Sequence, residues 1–405
     1  MKYSRILLAF SYLFLSLTLP ILFRSYSPDF LNFSALHALL TLLPIGLWLL
    51  GVYSWGSFLV ARYILPSSPG ISEWHSIAAL ALGSLIASHF AFAAGLFGFI
   101  GEGRFIYFSL FSSLGVALHL RSPIWPTLRW TPLAIPILII GVAALLIHPY
   151  QDPYAYHIEA PRQWWLAGHI FFTNSNPVLF TGSYWEHINF WGFAWFGPSL
   201  GGQIFSQIFP QSAHARLGSA RLLFCLSHIH RRLIRHKALA DALAIDSSTI
   251  TISLWTSWHA KNDYGGYFWL FIALLFQFEK AAFFTGIFLG SAIASKTILG
   301  IPALILLIYL WRQGLSRREI LLITFGLIIS ISPYLIRNLV FVGNPIFPIA
   351  SNLWSKTIAE IAPEVLGFGQ VLTLGDYAKI YLQLLTNDWF FLSLPILLIY
   401  FIWQR

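Results

Sequence analysis

Between two apolar runs the chain reads Gln151-Asp152-Pro153-Tyr154-Ala155-Tyr156-His157-Ile158-Glu159-Ala160-Pro161-Arg162-Gln163-Trp164-Trp165-Leu166-Ala167-Gly168-His169, then continues to Ser183-Tyr184-Trp185-Glu186-His187. It is the longest polar, titratable stretch in a sequence otherwise close to continuous apolar helix. What surrounds it decides the fold. Of 405 residues 57% are hydrophobic and only 10% charged, with a mean hydropathy of +0.71. A soluble domain carries about 25% charged residues. The deficit, with repeated apolar runs of bilayer length, predicts an all-α polytopic membrane protein. A chain that keeps charge scarce and gathers it in one loop beside a membrane is expected to place its chemistry there.

The net charge of +9 does not indicate nucleic acid, because the basic residues sit in short clusters between apolar runs, where orientation signals belong. The single cysteine, Cys225, excludes an intrachain disulfide and any cysteine-based metal site. The N-terminus, with Lys2 and Arg5 before an apolar run to Pro20, resembles a signal peptide but lacks a small-residue cleavage site, so it reads as an uncleaved first span.

Spans are predicted at 5–23, 37–62, 75–101, 104–120 and 132–148. Lys2, Arg5, Arg62, Arg121 and Arg129 all fall inside if the N-terminus is inside, so the fifth span delivers Gln151 to the outer face. Residues 188–209, rich in Trp and Phe and broken by Gly197-Pro198 and Gly201-Gly202, read as a helix lying in the interface. A span at 213–230 then returns the cluster Arg231, Arg232, Arg235 and Lys237 to the cytoplasm. Further spans are predicted at 238–258, 264–278, 281–295, 297–312 and 319–336, with Glu279-Lys280 and Arg312, Arg317 and Arg318 inside and a hinge at Lys296 outside. The whole is read as one transmembrane domain, 1–405. It comprises N-terminal spans to 131, a core over 132–348 with an outer loop at 149–212, a second outer loop at 337–388, and a last span at 389–403.

Each candidate residue has a plain structural role beside its chemical one. Asp152 before Pro153 is a helix N-cap with proline at the first helical position, and Pro161 would end or kink that helix. A capping carboxylate is fixed and ionised, which also suits a general base. On a helix begun there, Tyr156 and Glu159 share the face of Asp152, while His157 is either a ligand or a solvated interfacial side chain. Trp164-Trp165, Tyr184-Trp185, Trp191 and Trp195 form an interfacial belt, the general case, or a wall on which a sugar stacks. Lys296 interrupts an apolar run, where it either snorkels to the interface or faces a cavity and pairs with a phosphate. Asp263 and Lys261 flank a span start and form a solvated pair or line a site. Arg337-Asn338, ahead of Gly343-Asn344-Pro345, is a helix end and turn or presents a guanidinium to a lipid phosphate. No zinc spacing, P-loop, nucleophile elbow or dinucleotide fingerprint is present.

Four pieces together resemble the bacterial GT-C-type integral membrane glycosyltransferases, the mannosyltransferase-like superfamily that uses polyprenyl-phosphate sugars. They are Asp152-x-x-x-Tyr156-His157-x-x-x-Pro161 with Gly168-His169-Ile170, then Ala260-Lys261-Asn262-Asp263, then Ala294-Ser295-Lys296-Thr297, and lastly Pro333-Tyr334-Leu335-Ile336-Arg337-Asn338 with Gly343-Asn344-Pro345. The resemblance covers 148–348 and implies a bundle of about 11–13 spans, with a periplasmic first catalytic loop and interfacial helices. It implies transfer of a sugar from a polyprenyl-phosphate donor to a lipid, glycan or protein acceptor of the cell envelope, at the outer face of the cytoplasmic membrane. By matching position Asp152 would be the catalytic base. Lys296 and Arg337 would neutralise the departing phosphate, and Tyr156, His157, Glu159, Asp263 and Asn338 would line the site. A divalent cation, Mg²⁺ or Mn²⁺, stays open as a cofactor. A transporter or flippase, and a polymerase or ligase of lipid-linked glycan, are the competing expectations; the first would need charges near the bilayer midplane on broken helices.

Overall fold

The computed structural model describes residues 2–25, 35–66, 74–121, 158–172, 187–198, 263–296, 299–312 and 314–347. Among these residues every regular element is a helix. In chain order they are α1 (Lys2–Ser25), α2 (Ala35–Leu59), α3 (His75–Leu96), α4 (Phe105–His119), α5 (Glu159–Ala167), α6 (Asn189–Phe196), α7 (Asp263–Phe278), α8 (Ala282–Ser295), α9 (Gly300–Arg312) and α10 (Arg317–Val342). α2 ends in a wider π turn over Val60–Ile64. Helices therefore stand where the apolar runs predict them. The predicted spans at 132–148, 213–230, 238–258 and 389–403, and the second outer loop beyond 347, lie outside the described residues.

Two of the described helices, α3 and α10, are long and apolar enough to cross a membrane. At about 1.5 Å per residue they measure roughly 33 and 39 Å, against a hydrocarbon core of about 30 Å. α3 is mostly buried, whereas α10 turns Leu321, Phe325, Ile328, Ile336, Leu339 and Val340 outward. α1 and α9 also present apolar outer faces, among them Leu7, Phe10 and Phe14 on α1 and Leu304, Ile308 and Trp311 on α9. Outer faces this apolar are the pattern of helices made for an apolar medium.

At two helix-interior prolines, Pro20 and Pro333, the released backbone carbonyl is satisfied by a serine. Pro20 in α1 removes the N–H that would bond the Ser16 carbonyl, and Ser109 Oγ of α4 donates to that carbonyl at 2.6 Å. Pro333 in α10 frees the carbonyl of Ile329, which accepts from Ser332 Oγ at 3.0 Å. Proline is tolerated in an apolar bundle when neighbours restore its lost hydrogen bonds in this way.

Small residues set the closest crossings. A Cβ on Gly56 of α2 would collide with the Ala79 carbonyl of α3, and one on Gly83 with the Val52 carbonyl. In the second half Gly286 and Gly290 of α8 pack against Ile323, Leu327 and Ser330 of α10, while Gly326 faces Phe283 and Ile287. Ser291 and Ser330 share a hydroxyl–hydroxyl bond of 2.5 Å across that crossing. Without water to drive association, close backbone approach and interhelical hydrogen bonds hold such pairs.

These contacts also orient the helices. α3 runs antiparallel to α2 and α8 parallel to α10, and α4 is antiparallel to α1 because Ser16 meets Ser109 and Ser113 while the earlier Tyr12 clusters with the later Val116 and Leu120. Trp74, at the start of α3, packs edge-on against Phe276 near the end of α7, with ring centroids 5.0 Å apart. One end of the bundle therefore carries Arg5, Arg62, Arg121, Lys280, Arg312, Arg317 and Arg318. At that end α10 starts with a capping box, in which Ser316 Oγ accepts from the Glu319 N–H and the Glu319 carboxylate accepts from the Ser316 N–H.

Candidate functional site

The opposite end gathers the α3–α4 hairpin, the segment 158–172, the start of α7, the α8–α9 hinge at Lys296 and the C-terminal turns of α10. Ile170 fixes the loop segment there: its N–H donates to the Gly95 carbonyl of α3 at 2.9 Å, and its side chain fills the space beside Gly95. Gly266 of α7 lies against Leu299 and Ser295, which flank Lys296. Phe172 packs edge-on against Phe347 at 6.3 Å, tying the loop segment to the chain beyond α10.

Asp152, Tyr156 and His157 lie outside the described residues. The helix expected over 153–160 from an Asp152 cap is not what the described residues show: α5 starts at Glu159, with Ile158 at its N-cap, and passes through Pro161 to Ala167. Pro161 stands in the first turn, where the missing N–H has no helical partner anyway. Gly168 (φ 80°) then closes the helix, with the His169 N–H bonding back to the Trp164 carbonyl. Glu159 is clamped by Arg162, whose Nε and Nη2 each donate to one carboxylate oxygen at 2.6 Å, and Gln163 Nε2 adds a bond of 3.1 Å. Partial burial opposes its ionisation, yet these hydrogen bonds and the nearby charge outweigh it and hold the carboxyl below the ordinary range.

Of the rings expected as a surface belt or a sugar wall, Tyr184 and Trp185 lie outside the described residues, and the four described tryptophans are core residues. Trp164, Trp165, Trp191 and Trp195 are all buried. Trp164 stacks on His187 with ring planes 6° apart, and its Nε1 donates to the Phe171 carbonyl. The stretch predicted to lie in the interface begins as α6, only eight residues long and buried at every position. Trp191 Nε1 reaches the Ala87 carbonyl of α3, so this helix is wedged inside the bundle, not laid on it. Aromatic composition is the same for a belt and for a core; only the neighbours distinguish them.

Asp263 is the first residue of α7. Lys296 is half-buried in extended backbone (φ −152°, ψ 110°) at the end of α8, and the Leu299 N–H donates to its carbonyl as α9 begins. The predicted hinge is thus present. Arg337 and Asn338, expected where α10 gives way to an outer loop, are instead helical, because α10 continues to Val342 and ends only at Gly343 (φ 74°). Arg337 is 1% exposed and Asn338 fully buried. Arg337 Nε and Nη2 donate to Asn338 Oδ1 at 3.1 and 2.9 Å, and the guanidinium lies 5.2 Å from the Tyr334 ring centroid. Asn338 Nδ2 donates to the Pro345 and Phe347 carbonyls at 3.3 and 3.4 Å, and Tyr334 Oη donates to the same Phe347 carbonyl at 2.9 Å.

Tyr334 and Asn344 are the members of this cluster that sequence reasoning left unassigned. Tyr334 sits three residues before Arg337, a spacing that puts both on one helix face and could have exposed it. Asn344, fully buried, accepts from the Ile346 N–H and shapes the turn. Asn338→Ala is expected to cost about 2 kcal/mol, since it strips a buried guanidinium of an acceptor and releases the 345–347 turn. Tyr334→Phe should cost about 1 kcal/mol for its single bond. Thermal unfolding of the purified protein in detergent ranks the two.

Among the described residues no three His, Cys, Asp or Glu side chains come together that could hold a metal ion. No protein-family model, curated protein or solved structure matches the chain.

Proposed function

We propose that the chain is an integral membrane glycosyltransferase of the GT-C type, seated in the bacterial cytoplasmic membrane with its site on the outer side. It would move a sugar from a polyprenyl-phosphate donor to a lipid, glycan or protein acceptor. One observation carries this reading. The described part of the polar loop, the start of α7, Lys296 and the Arg337–Asn338 pair converge at one end of the bundle, while basic helix ends crowd the other. Basic ends face the cytoplasm in membrane proteins. The convergent end would then face outward, where lipid-linked sugars are used.

In this reading Asp152 takes the proton of the acceptor hydroxyl as its oxygen attacks the anomeric carbon, and the bond from that carbon to the phosphate oxygen breaks. The charge left on the polyprenyl phosphate is met by Lys296 and Arg337. Asn338 and Tyr334 fix the orientation of the Arg337 guanidinium, and for it to meet the phosphate the donor must displace what buries it. Glu159, already saturated by Arg162 and Gln163, lines and stiffens the loop and does not act as a base.

The test is a mass profile of surface glycans and lipid-linked sugars in a deletion strain and in the same strain carrying the wild-type chain. Loss of one sugar from the mature glycan, with its polyprenyl-phosphate donor accumulating, is the expected result. An intact glycan stranded on its lipid precursor would overturn transfer and favour transport.

A further inference from the structure

We propose that the α3–α4 hairpin and the adjoining edge of α5 form a membrane-interface anchor, with Phe97, Phe99, Tyr107 and Leu166 seated among lipid headgroups and upper acyl chains. Phe97 is 74%, Leu166 58%, Phe99 50% and Tyr107 43% exposed. Their exposure is built into the turn. Gly98 (φ 71°), Gly101 (φ 113°) and Gly103 (φ 80°) adopt backbone that favours glycine, turning Ile100 into the core and the two phenylalanines out. The turn is also clamped from below. A Cβ on Gly101 would lie 3.2 Å from the Trp165 carbonyl oxygen and 3.5 Å from Gly168, and one on Gly98 would lie 3.6 Å from the Gly168 carbonyl oxygen. Phe99 and Tyr107 meet edge-on at 5.6 Å, so the ring pair is presented outward as a unit.

The occupant follows from what adjoins the patch. Beside Tyr107 stands Ile106, and below it the outward face of α4 continues with Leu110 and Leu114, all exposed and apolar. Around the hairpin stand Arg104, Glu102, Arg162 and His169, the charged and polar groups expected at headgroup level. Aromatic rings at the end of an apolar stripe, rimmed by charge, are the composition of a bilayer interface. Three large apolar side chains held rigidly into water would be an unusual surface for a protein. The inference rests on the bundle being a membrane protein, and stands whether or not it transfers sugar. If it does, the site lies at headgroup depth, and a lipid phosphate reaches it by sliding within the leaflet.

The test reads depth directly. With Cys225→Ser as background, Phe97→Cys and Leu166→Cys are each labelled with an environment-sensitive NBD probe and reconstituted into phosphatidylethanolamine–phosphatidylglycerol vesicles. Both probes are expected to emit to the blue, to lose intensity to lipids spin-labelled near the carbonyl end of the chain, and to resist iodide. A probe at Leu114→Cys should respond instead to labels deeper in the chain. Full quenching by iodide at positions 97 and 166, with no loss to spin-labelled lipid, would overturn the anchor and make the patch water- or protein-facing. A photo-crosslinking phenylalanine analogue at position 97 of the otherwise native chain reads the same surface without altering Cys225. A one-lipid mass adduct supports the anchor, and its absence after irradiation in vesicles opposes it.

Discussion

Asp152→Asn is expected to lower sugar transfer by about 10²- to 10⁴-fold, the usual worth of a positioned general base, while the protein inserts and purifies like wild type. The substitution separates the two roles open to this carboxylate. Asparagine caps a helix as well as aspartate does, so a purely structural Asp152 would be replaced at little cost. It takes up no proton at neutral pH, so a catalytic Asp152 would not be replaced at all. Asp152→Ala is the companion: it should lose activity equally, and a capping role for Asp152 would show as about 1 kcal/mol of lost stability in this variant alone. The measurement is turnover in proteoliposomes beside a size-exclusion profile of each variant. Full activity in Asp152→Asn would leave the residue as a cap and move the base elsewhere. Asp263 would then be the first choice, because the hydrogen bonds from Arg162 and Gln163 make Glu159 a weak base.

Gly286→Leu is the structural prediction with the largest effect. Any Cβ at this position meets the backbone carbonyl of Ile323, which cannot swing aside as a side chain would. Overpacking against movable neighbours costs about 1–3 kcal/mol, and separating α8 from α10 adds the loss of the Ser291–Ser330 bond and of the Gly326 contact. The expected outcome is loss of monodisperse protein in detergent, with a milder loss of thermal stability for Gly286→Ala. Gly46→Ala is the control. Nothing lies within 4 Å of its Cβ position, so this change inside α2 should be neutral or stabilise by about 0.5–1 kcal/mol. If Gly286→Leu unfolds at the wild-type temperature, the α8–α10 crossing is not part of the folded protein.

What was legible in the sequence was whatever depends on composition along the chain. Apolar runs of bilayer length marked the helices, a lone Lys296 marked the hinge, and basic clusters between runs foretold the helix ends that gather at one end of the bundle. Proline was read less well. Pro161 looked like a stop because proline forbids a helix interior, yet the first turn tolerates it, and which turn it occupies depends on where the helix starts. Arg337 and Asn338 looked like a helix end because the turn signal Gly343-Asn344-Pro345 follows them. Asn338 accepts from Arg337 within the helix and is itself satisfied by carbonyls brought back from beyond Gly343, a long-range return that no local pattern announces. The tryptophans of the 164–195 region carried the same ambiguity, since a ring that anchors at an interface and a ring that fills a core have identical side chains. Burial belongs to the neighbours, not to the residue. The sequence by itself determined that this is a helical chain for an apolar medium with its charge concentrated in few places. Only the tertiary structure decided which of those charges are buried and which rings face outward, because helix crossing and burial are settled by packing between segments far apart in the chain.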